Sequence, residues 1–305
     1  MPELTFDLAT CVAVGLAVFA FTFVRYVLIS GLHYLITYHW LREWFRPHKH
    51  DQRYPGWKTI RAELRLGTLN LVNFVGFGVL ILYLITHGHT RLYFEVAERG
   101  WVYTLASLPL VLVIQDTWFY WIHRLLHWKP LMRWAHAPHH RFKNPTPFAA
   151  FAVHPFEGAL EVAFRPLILC LLPLHPGVIA VYVVLSFLVN ALGHGGVELF
   201  PSGWASHPLL GLGNSATHHY LHHKHVHCHF SLYFTWWDKL MGTEHPDYAR
   251  EFERVAVELP ALPALEAPAP GPRPAPRLVE LPLALAGSGA FLSGSASGVG
   301  PVRER

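Results

Sequence analysis

"WVYTLASLPLVLVIQDTWFYWIHRLLH" runs from Trp101 to His127, and its character changes without a break. As far as Ile122 it is almost wholly apolar and long enough to cross a bilayer, which takes about 20 such residues. It then ends on His123 and His127, whose i, i+4 spacing puts both rings on one face of a helix. Asp116 and Tyr120 lie on the same stripe. The segment therefore predicts a spanning helix that delivers two imidazoles to the membrane boundary.

Other apolar runs flank this one: Leu8 to Ser30, Leu66 to Thr86, and a pair, Gly158 to Leu174 and Gly177 to Leu192, broken by "HPG" at His175 to Gly177. The chain is 52% hydrophobic and only 14% charged, against roughly 25% charged for soluble proteins. An all-α, multi-span transmembrane bundle follows, the last pair forming a tilted or re-entrant hairpin. Burying three such long runs inside a soluble protein of this size is the rival reading.

The net charge is +4, with a pI of about 9.0. The basic residues sit in loops beside apolar runs, which points to a membrane surface and not to nucleic acid. Arg42, Arg46, Lys49, Arg53, Lys58, Arg61 and Arg65 crowd the first loop, and Arg124, Lys129, Arg133, Arg141 and Lys143 follow the third run. Both regions are expected on the cytoplasmic side, in a helical cap. Cys11, Cys170 and Cys228 offer no CxxC spacing and an odd number, so no disulfide framework is expected. The run from Leu8 lacks a preceding basic region and reads as a retained anchor. Three regions result: a two-span anchor with a basic cytoplasmic loop over 1–100, a catalytic region over 101–258, and a Pro/Ala/Gly/Ser-rich tail over 259–305, expected to be disordered.

Histidine is concentrated in the second region, where 17 of the 23 fall between His123 and His245. After "HRLLH" comes "HAPHH", with His136, His139 and His140; Pro138 suits the first turn of a new helix starting near Ala137. "HYLHH" repeats the spacing at His219, His222 and His223, and His194 closes the hairpin's second arm with Asn190 one turn before it. An expression tag would be terminal and unbroken. A structural zinc takes four ligands and a catalytic zinc three, so eight or more neutral imidazoles suit two metals. Imidazole does not choose among Zn, Cu, Fe and Ni. HExxH is missing, which argues against a zinc protease, and clustered Cys ligands are missing, which argues against an iron–sulfur centre. Activating a lipid C–H bond requires a redox metal, which favours iron.

The segments "QDTWFYWIHRLLHWKPLMRWAHAPHHRFKNPTPFAAFAVHPFEG" and "HHYLHHKHVHCHFSLYFTWWDKLMGTEHPDY" resemble the core of the fatty acid hydroxylase / sterol desaturase superfamily, over roughly Leu110 to Tyr248. The resemblance implies an integral membrane, non-haem di-iron enzyme that uses O2 and two electrons to hydroxylate or desaturate a lipid. It implies metal ligation by His123, His127, His136, His139, His140, His194, His219, His222 and His223. It leaves Asn190 as a doubtful ligand, acting through water, and His154 and His218 as supporting residues. The family's Asn-x-Asn-Gly-like segment after the last box is replaced by "HCHFS" (His227 to Ser231), so the roles of His225, His227 and His229 stay open; period-two spacing would set them on one face of an extended segment. Asp116 and Asp238 are the expected carboxylate partners of ligand imidazoles, with Glu157, Glu161 and Glu198 weaker candidates.

The expected cofactors are two iron ions, with zinc substituting on purification, and O2 as co-substrate. The expected partners are a lipid substrate, the membrane and an external cytochrome b5-like or ferredoxin-type electron donor, since the flanks show no such domain. Two alternatives remain: a non-redox metal protein, either a zinc-dependent membrane lipid hydrolase or a metal-binding membrane protein, and a catalytically dead scaffold.

Overall fold

The computed structural model describes residues 5–258, and the expectation of a disordered tail over 259–305 lies outside them. Among the described residues there is no β-strand, only isolated backbone bridges. The main helices are α1 (Leu8–Tyr34), α2 (Trp57–Thr86), α3 (Gly100–Leu126), α4 (Pro155–Val162), α5 (Phe164–Leu171), α6 (Pro176–Gly193), α7 (Ala216–His225), α8 (Trp236–Met241) and α9 (Tyr248–Glu253). Asp7 caps α1 by accepting from the Thr10 amide at 2.8 Å, and α1 runs on as a wider helix to Trp40.

Among the described residues, four helical stretches are long and apolar enough to cross a membrane: Leu8–Trp40, Trp57–Thr86, Gly100–Leu126 and Pro176–Gly193. Their outer faces carry Leu16, Leu28, Val72, Leu105 and Val181, all exposed. Only a hydrocarbon solvent makes such a surface favourable. The all-α spanning bundle read from the sequence is thus the observed fold.

Two boundaries differ from expectation. α2 begins at Trp57, well before the apolar run at Leu66. Its first turns point Lys58, Arg61 and Arg65 outward but bury Glu63, so helix replaces what read as basic loop. The hairpin's first arm is not one helix but two short ones, α4 and α5, broken at Ala163. Only its second arm, α6, is long enough to span.

The interior is held by aromatic packing and by one irregular segment. Tyr26, Leu71, Phe74, Phe148, Phe151 and Phe187 form a single cluster joining α1, α2 and α6 to residues 147–151. α4 lies so close to α2 that a side chain on Gly158 would start 1.9 Å from Asn70 Oδ1.

The "NPTP" stretch is stapled from all sides. Thr146 N donates to Glu63 Oε1 at 3.1 Å and its hydroxyl to the same carboxylate. The Pro147 carbonyl accepts from Ser30 Oγ at 3.0 Å, the Phe148 carbonyl from Tyr26 at 2.8 Å, and Asn144 Oδ1 from Lys49 Nζ at 3.2 Å. These bonds satisfy a buried non-helical backbone, which would otherwise carry a heavy desolvation cost. Replacing Glu63 with Ala strands the buried Thr146 donors. It should lower stability by about 1–3 kcal/mol, read as a reduced thermal midpoint of the detergent-solubilised protein.

Candidate metal centre

The last turn of α3 and its C-cap present His123 and His127. The chain reverses through a wide turn, Met132–His136, into a single helical turn, Ala137–His140, with Pro138 near its start as its ring requires. His194 caps the C-terminus of α6. α7 brings His219, His222 and His223; its N-terminus is capped by Ser215, which accepts from the His218 amide at 3.2 Å. Glu198 takes the preceding amide, Thr217 N, at 2.9 Å.

These elements bring the nine histidines together in two groups. His123, His127, His136, His140 and His222 form one, and His139, His194, His219 and His223 the other; within each group the nearest ring nitrogens lie within 4.8 Å of one another. In the first group, Nε2 of His136 lies 3.2 Å from that of His123 and 3.0 Å from that of His140, which is 3.1 Å from His222 Nε2. In the second, His194 Nε2 lies 3.3 Å from His139 Nε2 and 2.8 Å from His219 Nε2, which is 3.0 Å from His223 Nε2. Metal–nitrogen bonds of about 2.0–2.1 Å set neighbouring donors roughly 3.0–3.4 Å apart, so the spacing is that of a coordination shell.

The opposite ring nitrogens show which way the lone pairs face. Nδ1 of His123 donates to the Phe230 carbonyl (2.9 Å), of His222 to Cys228 (2.7 Å), of His139 to Ala152 (3.2 Å) and of His194 to Asn190 (2.8 Å). His136 Nδ1 lies 2.8 Å from Glu157 Oε1. A carbonyl only accepts, so His123, His139, His194 and His222 carry their proton on Nδ1 and turn a bare Nε2 inward. His139 and His194 are the clearest pair: both are anchored on carbonyls, yet their Nε2 atoms face each other.

Two lone pairs at that distance repel unless a cation lies between them. A proton is disfavoured there, because burial drags His194 down to about 4 and His127 to about 2. It also holds His139, His140, His219, His222 and His223 well below the ordinary imidazole range. The donor set fits metal ions.

The expected carboxylate partners are a correction. Asp116 touches no ligand histidine; it accepts from the amides of Leu232, Tyr233 and Phe234 and from Trp236 Nε1. Asp238 accepts from Phe230 N, Ser231 N and Thr243 Oγ1 and lies 3.4 Å from His218. Together they hold the loop whose Phe230 carbonyl orients His123. Main-chain carbonyls take the role expected of side chains, and Glu157 is the carboxylate that does meet a cluster histidine.

The remaining candidates lie outside both clusters. His154 caps α4 through Phe156 N. His218 stacks on His229 at 3.8 Å. Asn190 donates to the Ala150 carbonyl at 2.9 Å, but it also lines a small chamber with Glu157, Glu161, Phe119 and five of the nine histidines. His225 and His227 are not on an extended face, because Val226 between them turns left-handed. His229 is buried and structural, donating to the His218 carbonyl and accepting from His245 N. A residue that sequence reasoning did not single out is His50, which bonds Thr217 Oγ1 at 2.8 Å and stacks on Tyr220, clamping α7 to the first loop.

With this geometry in place, residues 108–243 match the family model for fatty acid hydroxylase. The chain is 33% identical over 156 residues to a Delta(7)-sterol 5(6)-desaturase of Gibberella zeae, covering 51% of this chain and 47% of the relative. It is 34% identical over 165 residues to the lathosterol oxidase of Mus musculus, 52% of each. It is 35% identical over 154 residues to a methylsterol monooxygenase of Aspergillus fumigatus, 48% of this chain and 51% of that one. Over residues 108–243 the chain is thus similar to the fatty acid hydroxylase family and to sterol desaturases and oxidases. The chain spans about half the length of the relatives named here. No solved structure matches it significantly.

Glu157→Gln should weaken metal affinity at the five-histidine group by about 10–100-fold and leave the four-histidine group occupied. Metal analysis across a chelator titration would show one ion leaving early.

Proposed function

We propose that the nine imidazoles hold two iron ions and that the chain is an integral membrane oxidoreductase, using O2 to hydroxylate or desaturate a lipid C–H bond. The observation that carries this reading is the pair of adjacent, buried, all-imidazole groups at the ends of membrane-spanning helices. Iron would supply the redox chemistry that O2 activation needs. Hydroxylation converts R–H, O2, two electrons and two protons into R–OH and water; desaturation takes a second hydrogen from the lipid instead and forms two waters.

The protein's own residues prepare the site. Burial keeps the imidazoles neutral, the state in which they bind metal. Backbone carbonyls fix their tautomers. Phe119, Ala150 and Val153 wall the chamber beside them and exclude bulk water, while Glu157, Glu161 and Asn190 are its polar lining. A largely apolar cavity of about 250 Å³ reaches Asn190 and His219 from between α6 and the cap. That suits a hydrocarbon substrate.

The relatives' names put sterols first among candidate substrates. The basic residues of the first loop and of the His123–Asn144 segment favour a cytoplasmic cap, and the two electrons come from a separate cytochrome b5-like or ferredoxin-type protein.

The test is metal content and O2 consumption of protein produced without excess zinc, with lipids profiled under 18-oxygen gas. About two irons per chain, label in a new lipid hydroxyl, and loss of turnover in His140→Ala and His223→Ala are expected. Activity with stoichiometric zinc and no O2 uptake would establish a hydrolase instead.

A further inference from the structure

The middle of the bundle contains charge that the metal centre does not use. A cavity of about 430 Å³ lies between α3, α5 and α6, walled by Val111, Ile168, Leu169, Ile179 and Val183. Its surface is almost wholly apolar, and Arg165 and Tyr182 are the residues of its lining that carry polar groups. Tyr182 is 3% exposed, and its hydroxyl is buried without a hydrogen-bond partner.

Arg165 lines this cavity and also a second one that continues past Gln115, Ser186, Glu161 and Asn190. Glu161 and Asn190 in turn line the chamber that holds His123, His136, His139, His194 and His219. Through these shared residues the apolar cavity passes to Arg165, then to Glu161 with Asn190, then to the imidazoles.

A second cation stands behind the first. Arg25 of α1 is 6% exposed and donates Nη1 to the Val183 carbonyl, while its Nε and Nη2 have no partner. Its guanidinium sits over the rings of Phe151 and Phe187, and that of Arg165 over Phe74 at 4.6 Å. Arg25 and Arg165 lie close to one another and to Tyr182, and the carboxylates of this region are Glu161 and Glu157. Such groups inside a bilayer are expensive, and they characteristically mark a ligand path.

We propose that Arg165, backed by Tyr182, grips the oxygen-bearing head of a single-headed amphiphilic lipid at the neck between the large apolar cavity and the metal chamber. The head accepts hydrogen bonds and the hydrocarbon body enters the cavity, whose volume lies in the usual range for small-molecule sites. Given the oxidoreductase reading, on which this consequence rests, the carbons nearest the head are those that face the imidazoles. Oxidation then falls within a few bonds of the head and not at the far end of the lipid. A carboxylate and a hydroxyl share the required chemistry.

The test separates binding from oxidation. The full chain, stripped of metal and reconstituted in lipid nanodiscs, is titrated with tritiated palmitate and tritiated cholesterol, with hexadecane and cholestane as head-free competitors. At least one headed probe should bind and resist its head-free competitor. Arg165→Met should weaken that probe about tenfold and Tyr182→Phe about threefold to fivefold, with Arg165→Lys recovering most of the loss. Whichever probe responds tells carboxylate from hydroxyl.

Competition by the bare hydrocarbon as strong as by the headed lipid would overturn the proposal. So would indifference of both probes to Arg165→Met, or failure of both to bind. Should Arg165→Met not fold, Arg165→Gln set against Arg165→Lys gives the same comparison. Headed binding without any oxidation by iron-loaded protein would sink the oxidoreductase reading and leave this site standing. Oxidation that Arg165→Met does not affect would do the reverse.

Discussion

Nine uncharged imidazoles converge in two adjacent groups, and His123, His139, His194 and His222, anchored on backbone carbonyls, turn their lone pairs inward. That arrangement is unfavourable for the chain alone, since Nε2 atoms about 3 Å apart repel and burial opposes the protons that would relieve them. It becomes favourable when divalent cations sit between the nitrogens. Folding and metal binding are coupled in such a site, because the rings converge only in the folded chain.

The rest of the molecule can be read as what is needed to hold those rings in place. Four long helices supply rigid walls and a hydrocarbon-compatible outer face. Between them, irregular backbone carries the orienting carbonyls of Cys228, Phe230 and Ala152. Irregular backbone is tolerated at this depth only when its own polar groups are satisfied. That is the task of Asp116, Asp238 and Glu63, each of which takes two or more donors from a loop that has no helical partner for them. The buried carboxylates are thus structural supports for the loops, one step removed from the histidines they help to aim.

The same logic accounts for buried polar residues that serve the scaffold. His229, in a left-handed conformation, uses both ring nitrogens on backbone groups. His50 and Glu198 fasten the start of α7, so that its three ligand positions point one way. Histidine is used here in two capacities, as inward donor and as bridge between main chains, and residue type does not tell them apart.

The sequence by itself determined the class of fold and which histidines could serve as donors. Apolar runs of spanning length leave a helix as the only spanning element their backbone can form, and spacings of three and four residues force imidazoles onto common helix faces. Those are local rules, and they survive any arrangement of the helices. Local rules also placed a helix start at Ala137, where Pro138 suits a first turn.

Tertiary structure alone decided the partition of the nine into five and four, the tautomers, and which carboxylate meets a ring. The first and last depend on how distant elements pack, and the tautomers on which backbone carbonyl arrives beside a given Nδ1; a carbonyl is present at every residue, so sequence carries no mark of it. The same holds for α2 beginning at Trp57: Glu63 is helical and buried because Thr146, far away in the chain, needs an acceptor there.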